Sequence, residues 1–338
     1  MMVGRSEMID LFLASAGWPG ADRVILAQDA SFRRYERVSR AEEHAVLMDA
    51  PPKFEDVRPF MLISRTLRNL GYSVPAILAE DVGQGFLLLE DLGDDTYSRL
   101  LDAGTDPEPL YELAVDVLID MHSRPVADLL PSTVKTYNDA LMKAEAGLMV
   151  DWYLPAVLRQ ELEEKAIASY YDIWSRLLPK AKILPDTLVL RDFHVDNLIR
   201  VSAREGIGAC GLLDFQDAVK GPVSYDFVSL IEDARRDVAD KLASAMRVRY
   251  LAAFPEIDAA AFDRSCAILG AQRHCKVLGV FTRLRDRDGK DVYLRHVPRL
   301  WRLLERAVTH QSLGELKRWL DEYVPVDRRI VPPERRAA

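Results

Sequence analysis

LRDFHVDNL occupies positions 190–198. It places Asp192, His194, Asp196 and Asn197 within six positions, between the apolar runs Leu188-Val189-Leu190 and Leu198-Ile199. Short apolar runs bounded by polar turn residues predict two strands meeting at a bend. An Asx-rich bend can be a turn and nothing more, since Asp and Asn side chains bond their own backbone. Here, however, a further strand-like run, Ala209-Cys210-Gly211-Leu212-Leu213, ends on Asp214-Phe215-Gln216-Asp217. Asp214 follows Asn197 by 17 residues, and an antiparallel return of that length would set the two side by side. Magnesium prefers such a partial oxygen set, one or two carboxylates and an amide, completed by water and phosphates. Asp192 would be left to hold an attacking hydroxyl. That is the layout of phosphoryl transfer, where positioning and charge neutralisation do most of the work.

The rest of the chain supports a protein large enough to build such a site. Its 338 residues exceed one ordinary compact domain and suit two lobes. A formal net charge of -8 argues against a general nucleic-acid binder, which needs a dominant basic surface. Cys210, Cys266 and Cys275 form no CxxC pair, and an odd count suits reduced thiols. The opening MMVGRSEMIDLFLASAGW reads as an amphipathic helix instead of a signal peptide, and no stretch approaches the ~20 apolar residues of a membrane span. A cytoplasmic protein with no membrane partner is therefore expected.

Residues 5–16 carry Met8, Leu11, Phe12 and Ala16 at helical spacing, stopped by Gly17-Trp18-Pro19-Gly20. Strand-like runs follow at 21–28, 34–38 and 44–50, the last broken by Pro51-Pro52. Residues 56–72 are helical in period, and runs 76–82 and 85–91 read as a hairpin about Gly83 and Gly85. Residues 1–91 thus form a small lobe of about five strands. Helical patterns dominate 107–180 and 224 to about 321, and the β-rich island 187–220 lies between them.

These motifs carry a resemblance. LRDFHVDN resembles the H-R-D-x-x-x-x-N catalytic loop of kinases, with Leu190 in the place of its His, and LLDFQDA resembles the D-F-G segment. A second His after the catalytic Asp, here His194, makes both more similar to the aminoglycoside phosphotransferase and choline kinase branch. Within that branch, ASFRRY (30–35), VLMDAPP (46–52), LLDFQDAVKGPVSYDFVSL (212–230) and QRHCKVLGVFTRLRDRDGKDVYL (272–294) resemble the cell-wall amino-sugar kinases of peptidoglycan recycling. Those phosphorylate the anomeric hydroxyl of N-acetylmuramate and N-acetylglucosamine. The resemblance implies an α+β, bilobal protein-kinase-like fold. Residues 1–91 would be a β-rich nucleotide-binding lobe and 92–338 a mainly helical catalytic and substrate lobe, with ATP and Mg2+ as cofactors. It implies Asp192 as the catalytic base or hydroxyl-orienting group, and Asn197 and Asp214 as magnesium ligands. Ser31, Phe32 and Arg33 would cover the phosphates, and Leu89-Glu90-Asp91-Leu92 would be the adenine hinge. Asp226 would hydrogen-bond the catalytic-loop backbone.

Other residues stay open between two roles. His194 is expected to be a scaffold bonding nearby backbone, with substrate contact as the alternative. Asp217 is a second metal contact or an exposed loop acid. Arg273 and Arg283, with Arg285, Arg287 and Lys290, are a solvated face or an anion pocket for the lactyl carboxylate of muramate. His122 is expected at a helix end. The pattern also departs from kinases in one respect. Where they carry a strand Lys, AVLM ends in Met48, and the following helix has no acid in its middle, only Glu55 and Asp56 at its start. Losing both members of that ion pair is consistent, because one alone would be an unpaired buried charge. Arg33, Arg34 and Lys53 are the candidates to replace the Lys. The alternatives to an amino-sugar kinase are an antibiotic phosphotransferase, whose polycationic substrate needs an acidic pocket, a nucleotide-binding scaffold without catalysis, and a metal-dependent hydrolase.

Overall fold

The apolar runs of the first 91 residues become one antiparallel sheet in the computed structural model, which describes residues 4–28 and 32–334. Its strands are β1 (Asp22–Gln28), β2 (Arg34–Arg40), β3 (Glu43–Asp49), β4 (Ile77–Asp81) and β5 (Phe86–Glu90), in the order β1-β2-β3-β5-β4. Register follows from the alternation of side chains. Tyr35 faces Met48 and Met48 faces Leu87, while Arg37 faces Val46 and Val46 faces Leu89. Val38, Ala45, Leu47, Phe86 and Leu88 are buried against Ile9, Phe12 and Leu13 of helix α1 (Arg5–Ser15). Phe60, Ile63 and Leu67 lie on the buried face of α2 (Arg58–Asn69). Gly85 has φ +73°, and a Cβ there would lie 1.9 Å from the Ala50 carbonyl oxygen, so the β4–β5 turn requires glycine.

The chain divides into two compact units. One takes the residues up to Val117 together with Val195–Ala218; the other takes Leu118–His194 and Val219 onward. The first unit continues with α3 (Tyr97–Asp102) and the start of α4 (Pro107–Ser123). Its returning segment is a hairpin of β7 (Leu198–Arg200) and β8 (Cys210–Leu212), with β6 (Asp186–Val189) in the other unit. The hairpin is fastened to the first unit by backbone. Leu212 N donates to Ser73 O at 2.8 Å, and Arg200 N donates to Asp95 O at 2.8 Å.

The second unit contains the end of α4, then α5 (Val126–Leu129), α6 (Asp139–Leu148), a π-helical stretch Met149–Tyr153, α7 (Leu154–Leu158) and α8 (Glu164–Ala181). Strand β6 pairs antiparallel with β9 (Val219–Pro222). After it come α9 (Ser224–Ile231), α10 (Asp240–Ala253), the 30-residue α11 (Ala259–Asp288), α12 (Val297–Ala307) and α13 (Gly314–Tyr323). The element order is that of an α+β protein-kinase-like chain. Among the described residues no helix is long and apolar enough to cross a membrane.

Helix α11 runs against α6 and the π-helical stretch so closely that a Cβ on Gly279 would sit 2.2 Å from the Leu148 carbonyl oxygen. Two effects compete at this position. Alanine is the better helix former by ~1 kcal/mol, but backbone cannot yield to a clash of this kind, and overpacking costs about 1–3 kcal/mol. The clash should win, so Gly279→Ala is expected to lower the urea midpoint. A midpoint equal to or above wild type would contradict the close approach.

Candidate active site

The bend after β6 is built around one residue, Arg191. Asp226, in the first turn of α9, accepts from Leu190 N at 2.6 Å and from Arg191 N at 2.9 Å, the backbone role expected of it. On the other side, the Arg191 carbonyl accepts from Arg273 Nη1 at 2.9 Å and from Ser229 Oγ at 3.3 Å. Held from both sides, Arg191 takes φ +72°, a left-handed conformation unusual for a residue with a Cβ. The turn closes with Asp192 N donating to Leu190 O at 2.9 Å.

Asp192 follows directly, and its side chain remains 39% exposed although protein surrounds it densely. Burial acts to raise its pKa. The charges of Arg273, Lys276 and Arg191 overcome that and hold the carboxyl well below the ordinary range. Arg273 itself is 3% exposed and stands 3.7 Å from Asp192 Oδ1. Glu145 on α6 is a buried counter-ion of this cationic group. Its Oε1 meets Arg191 Nη2 and, at 3.1 Å, Lys276 Nζ; its Oε2 accepts from the Tyr137 hydroxyl.

His194 is buried, and its Nε2 lies 3.0 Å from Arg235 Nη1. Arginine can only donate, so Nε2 accepts and the ring is neutral, in line with burial and the Arg235 charge both lowering its pKa. The expected backbone partner is thus replaced by a guanidinium. His122 ends α4 with Nδ1 2.7 Å from the Tyr250 hydroxyl. Arg283 is half-buried on α11, two turns beyond Lys276, and its Nε finds no hydrogen-bond partner among the described residues. Burial lowers its pKa first, and neighbouring Arg287 second.

In the first unit the β7–β8 hairpin brings the two proposed metal ligands to one end. Leu198 pairs with Leu212, and Leu213 N donates to Asn197 O at 2.9 Å, so Asp214 emerges beside Asn197. Asp214 takes φ +55°, and Phe215 stacks on Phe60 at 4.9 Å, anchoring the turn to α2. Gln216 Nε2 donates to Asp214 Oδ1 at 2.7 Å, while Asp217 is exposed. Arg33 is buried and reaches Asp214 Oδ1 at 3.4 Å. Phe32 stacks on Phe54 at 4.4 Å, and its N–H donates to Glu55 Oε1 at 3.1 Å. Ser31 lies outside the described residues.

In the hinge stretch, Glu90 receives Arg68 Nη1 at 3.0 Å and Arg204 Nη2 at 2.5 Å, and its own N–H donates to Ala76 O. Arg37 binds Asp91 and Asp94 together, which stiffens the segment around Leu92. Met48 is 1% exposed, and Asp49 pairs with Arg5, so the strand position of the kinase Lys carries no cation.

Sequence reasoning missed Glu145, Lys276, Arg235 and Gln216. Glu145 left one trace: it is the single acid in the stripe Met142, Glu145, Ala146, Met149, all buried. A charge alone on an apolar face signals a buried partner.

Known proteins bear on this geometry. Residues 9–262 match the family model described as "Phosphotransferase enzyme family". A Caulobacter vibrioides protein named N-acetylmuramate/N-acetylglucosamine kinase is 37% identical, the match covering 94% of this chain and 96% of that one. A Pseudomonas aeruginosa protein of the same name is 40% identical over 91% of both. Among solved structures, the ADP-bound aminoglycoside phosphotransferase APH(2'')-Ib has TM-score 0.58 at 16% identity, covering 92% of this chain and 98% of its own. A choline/ethanolamine kinase family protein from Mesorhizobium loti has TM-score 0.61 at 14%, covering 94% and 100%.

The clamp on the Arg191 peptide should be visible in a pH titration of stability. Burial pushes the Asp226 carboxyl up to about 7, against its two N–H donors and the Arg273 charge. A folded-state pKa above the unfolded one contributes stability that is complete below about pH 4 and lost as pH rises through about 7. The unfolding free energy of wild type relative to Asp226→Asn should therefore fall between pH 5 and pH 8 in urea denaturation. A difference that grows with pH would contradict this.

Proposed function

Because the chain belongs to the phosphotransferase enzyme family, we propose that it transfers the γ-phosphoryl group of ATP to the anomeric hydroxyl of N-acetylmuramate and N-acetylglucosamine. The observation that carries this reading is the hairpin end that sets Asn197 beside Asp214, five residues after an ionised, accessible Asp192. Residues 1–91 are read as the nucleotide-binding lobe and 92–338 as the catalytic and substrate lobe.

Asp192 accepts the hydrogen bond of the attacking hydroxyl and aims its oxygen. An anomeric hydroxyl is more acidic than an ordinary alcohol. In a loose phosphoryl-transfer transition state its proton leaves late. A carboxylate of low proton affinity suits that sequence: it orients the hydroxyl throughout, takes its proton late and releases it to solvent. Asn197 and Asp214 fit magnesium, since both offer hard oxygens at one hairpin end. No three His, Cys, Asp or Glu among the described residues form a ready cage, so water and phosphates would complete the shell. Bound there, the ion would neutralise phosphate charge. Ser31, Phe32 and Arg33 are assigned to the phosphates, and the backbone of Glu90 and Leu92 to adenine. His194, Asp217 and Arg273 are given supporting places. ATP chemistry on a free sugar supports a cytoplasmic location.

The surroundings of Asp192 favour this acceptor over an aminoglycoside. Arg191, Arg273 and Lys276 lower its pKa, and a polycationic drug would meet that same positive field. Muramate carries a lactyl carboxylate, and we assign Arg283 to it, because its buried Nε has no partner among the described residues.

Two experiments test the reading. Phosphoryl transfer to a panel of N-acetylmuramate, N-acetylglucosamine and kanamycin, followed by NMR, should give a phosphate-coupled anomeric proton on the two amino sugars alone. Asp192→Asn should lower kcat by about 100-fold or more while nucleotide affinity stays near wild type. Transfer to kanamycin only, or a variant at wild-type rate, would overturn it. Arg283→Gln should raise KM for N-acetylmuramate by about tenfold and leave N-acetylglucosamine, which has no carboxylate, nearly unchanged. Equal losses on both sugars would remove the Arg283 assignment.

A further inference from the structure

We propose that Arg33 replaces the missing strand Lys as the cation for the nucleotide phosphates, that Glu55 orients it, and that Asp214 is its partner when no metal is bound. This rests on the phosphoryl-transfer reading above, and deepens it by naming the neutralising group.

Three cations stand near enough in sequence to compensate for Met48: Arg33, Arg34 and Lys53. Arg34 and Lys53 are exposed, and the Lys53 ammonium lies 5.3 Å above the Phe54 ring. Arg33 differs from both. It enters β2 immediately before Arg34, whose ladder partner is Asp49, so it lies at the end of the sheet where Met48 lies. Its side chain is 9% exposed, and its guanidinium stands between two carboxylates, Glu55 Oε2 at 4.0 Å and Asp214 Oδ1 at 3.4 Å. In kinases a strand Lys pairs with a helix Glu. Here the cation has moved to the neighbouring strand, and the acid has moved from the middle of the helix to the residues just before α2.

Both separations are long for charge-assisted hydrogen bonds, which close at about 2.7–2.9 Å. The contact of Arg33 with Asp214 is therefore a loose ion pair that a metal can displace. When Asp214 turns to a divalent cation, Arg33 loses that anion. A buried guanidinium needs a replacement, and a nucleotide phosphate supplies it. Glu55 keeps the side chain in place through the exchange. It is also tied to the phosphate-covering turn, because Phe32 N donates to its Oε1. Before the exchange, Arg33 and the metal compete for the same carboxylate.

That competition makes the proposal testable by binding alone. Wild type, Arg33→Met, Arg33→Lys and Glu55→Gln are titrated by calorimetry with Mn2+ alone and with ADP in the presence of Mg2+. Arg33→Met should weaken ADP by about tenfold or more, the worth of a charge-assisted contact, yet bind Mn2+ alone more tightly than wild type. Arg33→Lys should recover part of the ADP affinity, and Glu55→Gln should weaken ADP by less than Arg33→Met. A merely structural role would weaken both ligands together, and that outcome overturns the proposal, as does unchanged ADP affinity in Arg33→Met. If Arg33→Met does not fold, Arg33→Lys and Glu55→Gln decide: ADP affinity unchanged in both overturns it. Wild type that binds no ADP at all would instead remove the kinase reading itself.

Discussion

The backbone of Arg191 is held at both ends, and the candidate site depends on that restraint. Its N–H donates to Asp226, which also takes the preceding N–H, and its carbonyl accepts from Arg273 and Ser229. A left-handed φ at an arginine costs about a kcal/mol or more, so it persists only where neighbours over-determine it. Four hydrogen bonds from α9 and α11 do so here. Their effect is to present Asp192 outward, whereas a relaxed turn would let the side chain follow the strand. The restraint also explains why Asp226 is buried in α9, a place a carboxylate otherwise avoids.

The same arginine links geometry to charge. Arg273 holds the bend through Nη1 and lowers the Asp192 pKa through its charge, so the group that shapes the loop also keeps its carboxylate ionised. So many cations would be costly to gather without an anion among them. Glu145 answers that need from α6, meeting Arg191 and Lys276 with one carboxylate. The field left around Asp192 keeps its carboxylate ionised. In the proposed reaction the same field would oppose a polycationic acceptor.

Much of this was legible in the sequence. The short apolar runs in HAVLMDA and FLLLED located the central strands, and Pro51-Pro52 ended the first of them, because runs and punctuation are local properties. The spacing from Asn197 to Asp214 anticipated the β7–β8 hairpin. What stayed hidden depended on packing. Strand β9, VKGP, carries Gly and Pro and has no strand signature of its own; it exists because β6 pairs with it. Arg33, Arg34 and Lys53 are equivalent as letters, and only burial separates them. His194 drew an arginine where backbone was expected, since Arg235 lies 41 residues away and no spacing rule reaches it.

The loss of the strand Lys is instructive on this point. A kinase built on a Lys–Glu pair commits two charges to one strand and one helix interior. Here both positions are apolar or differently engaged: Met48 is buried in the sheet, and α2 turns Phe60, Ile63 and Leu67 inward. With no acid in the middle of α2, a Lys at 48 would be an unpaired buried cation, so the two changes need one another. Placing the cation at Arg33 and the acid at Glu55 restores the pair at the end of the same sheet, next to Asp214. What phosphoryl transfer constrains is where the positive charge stands, and the strand that delivers it is free to vary.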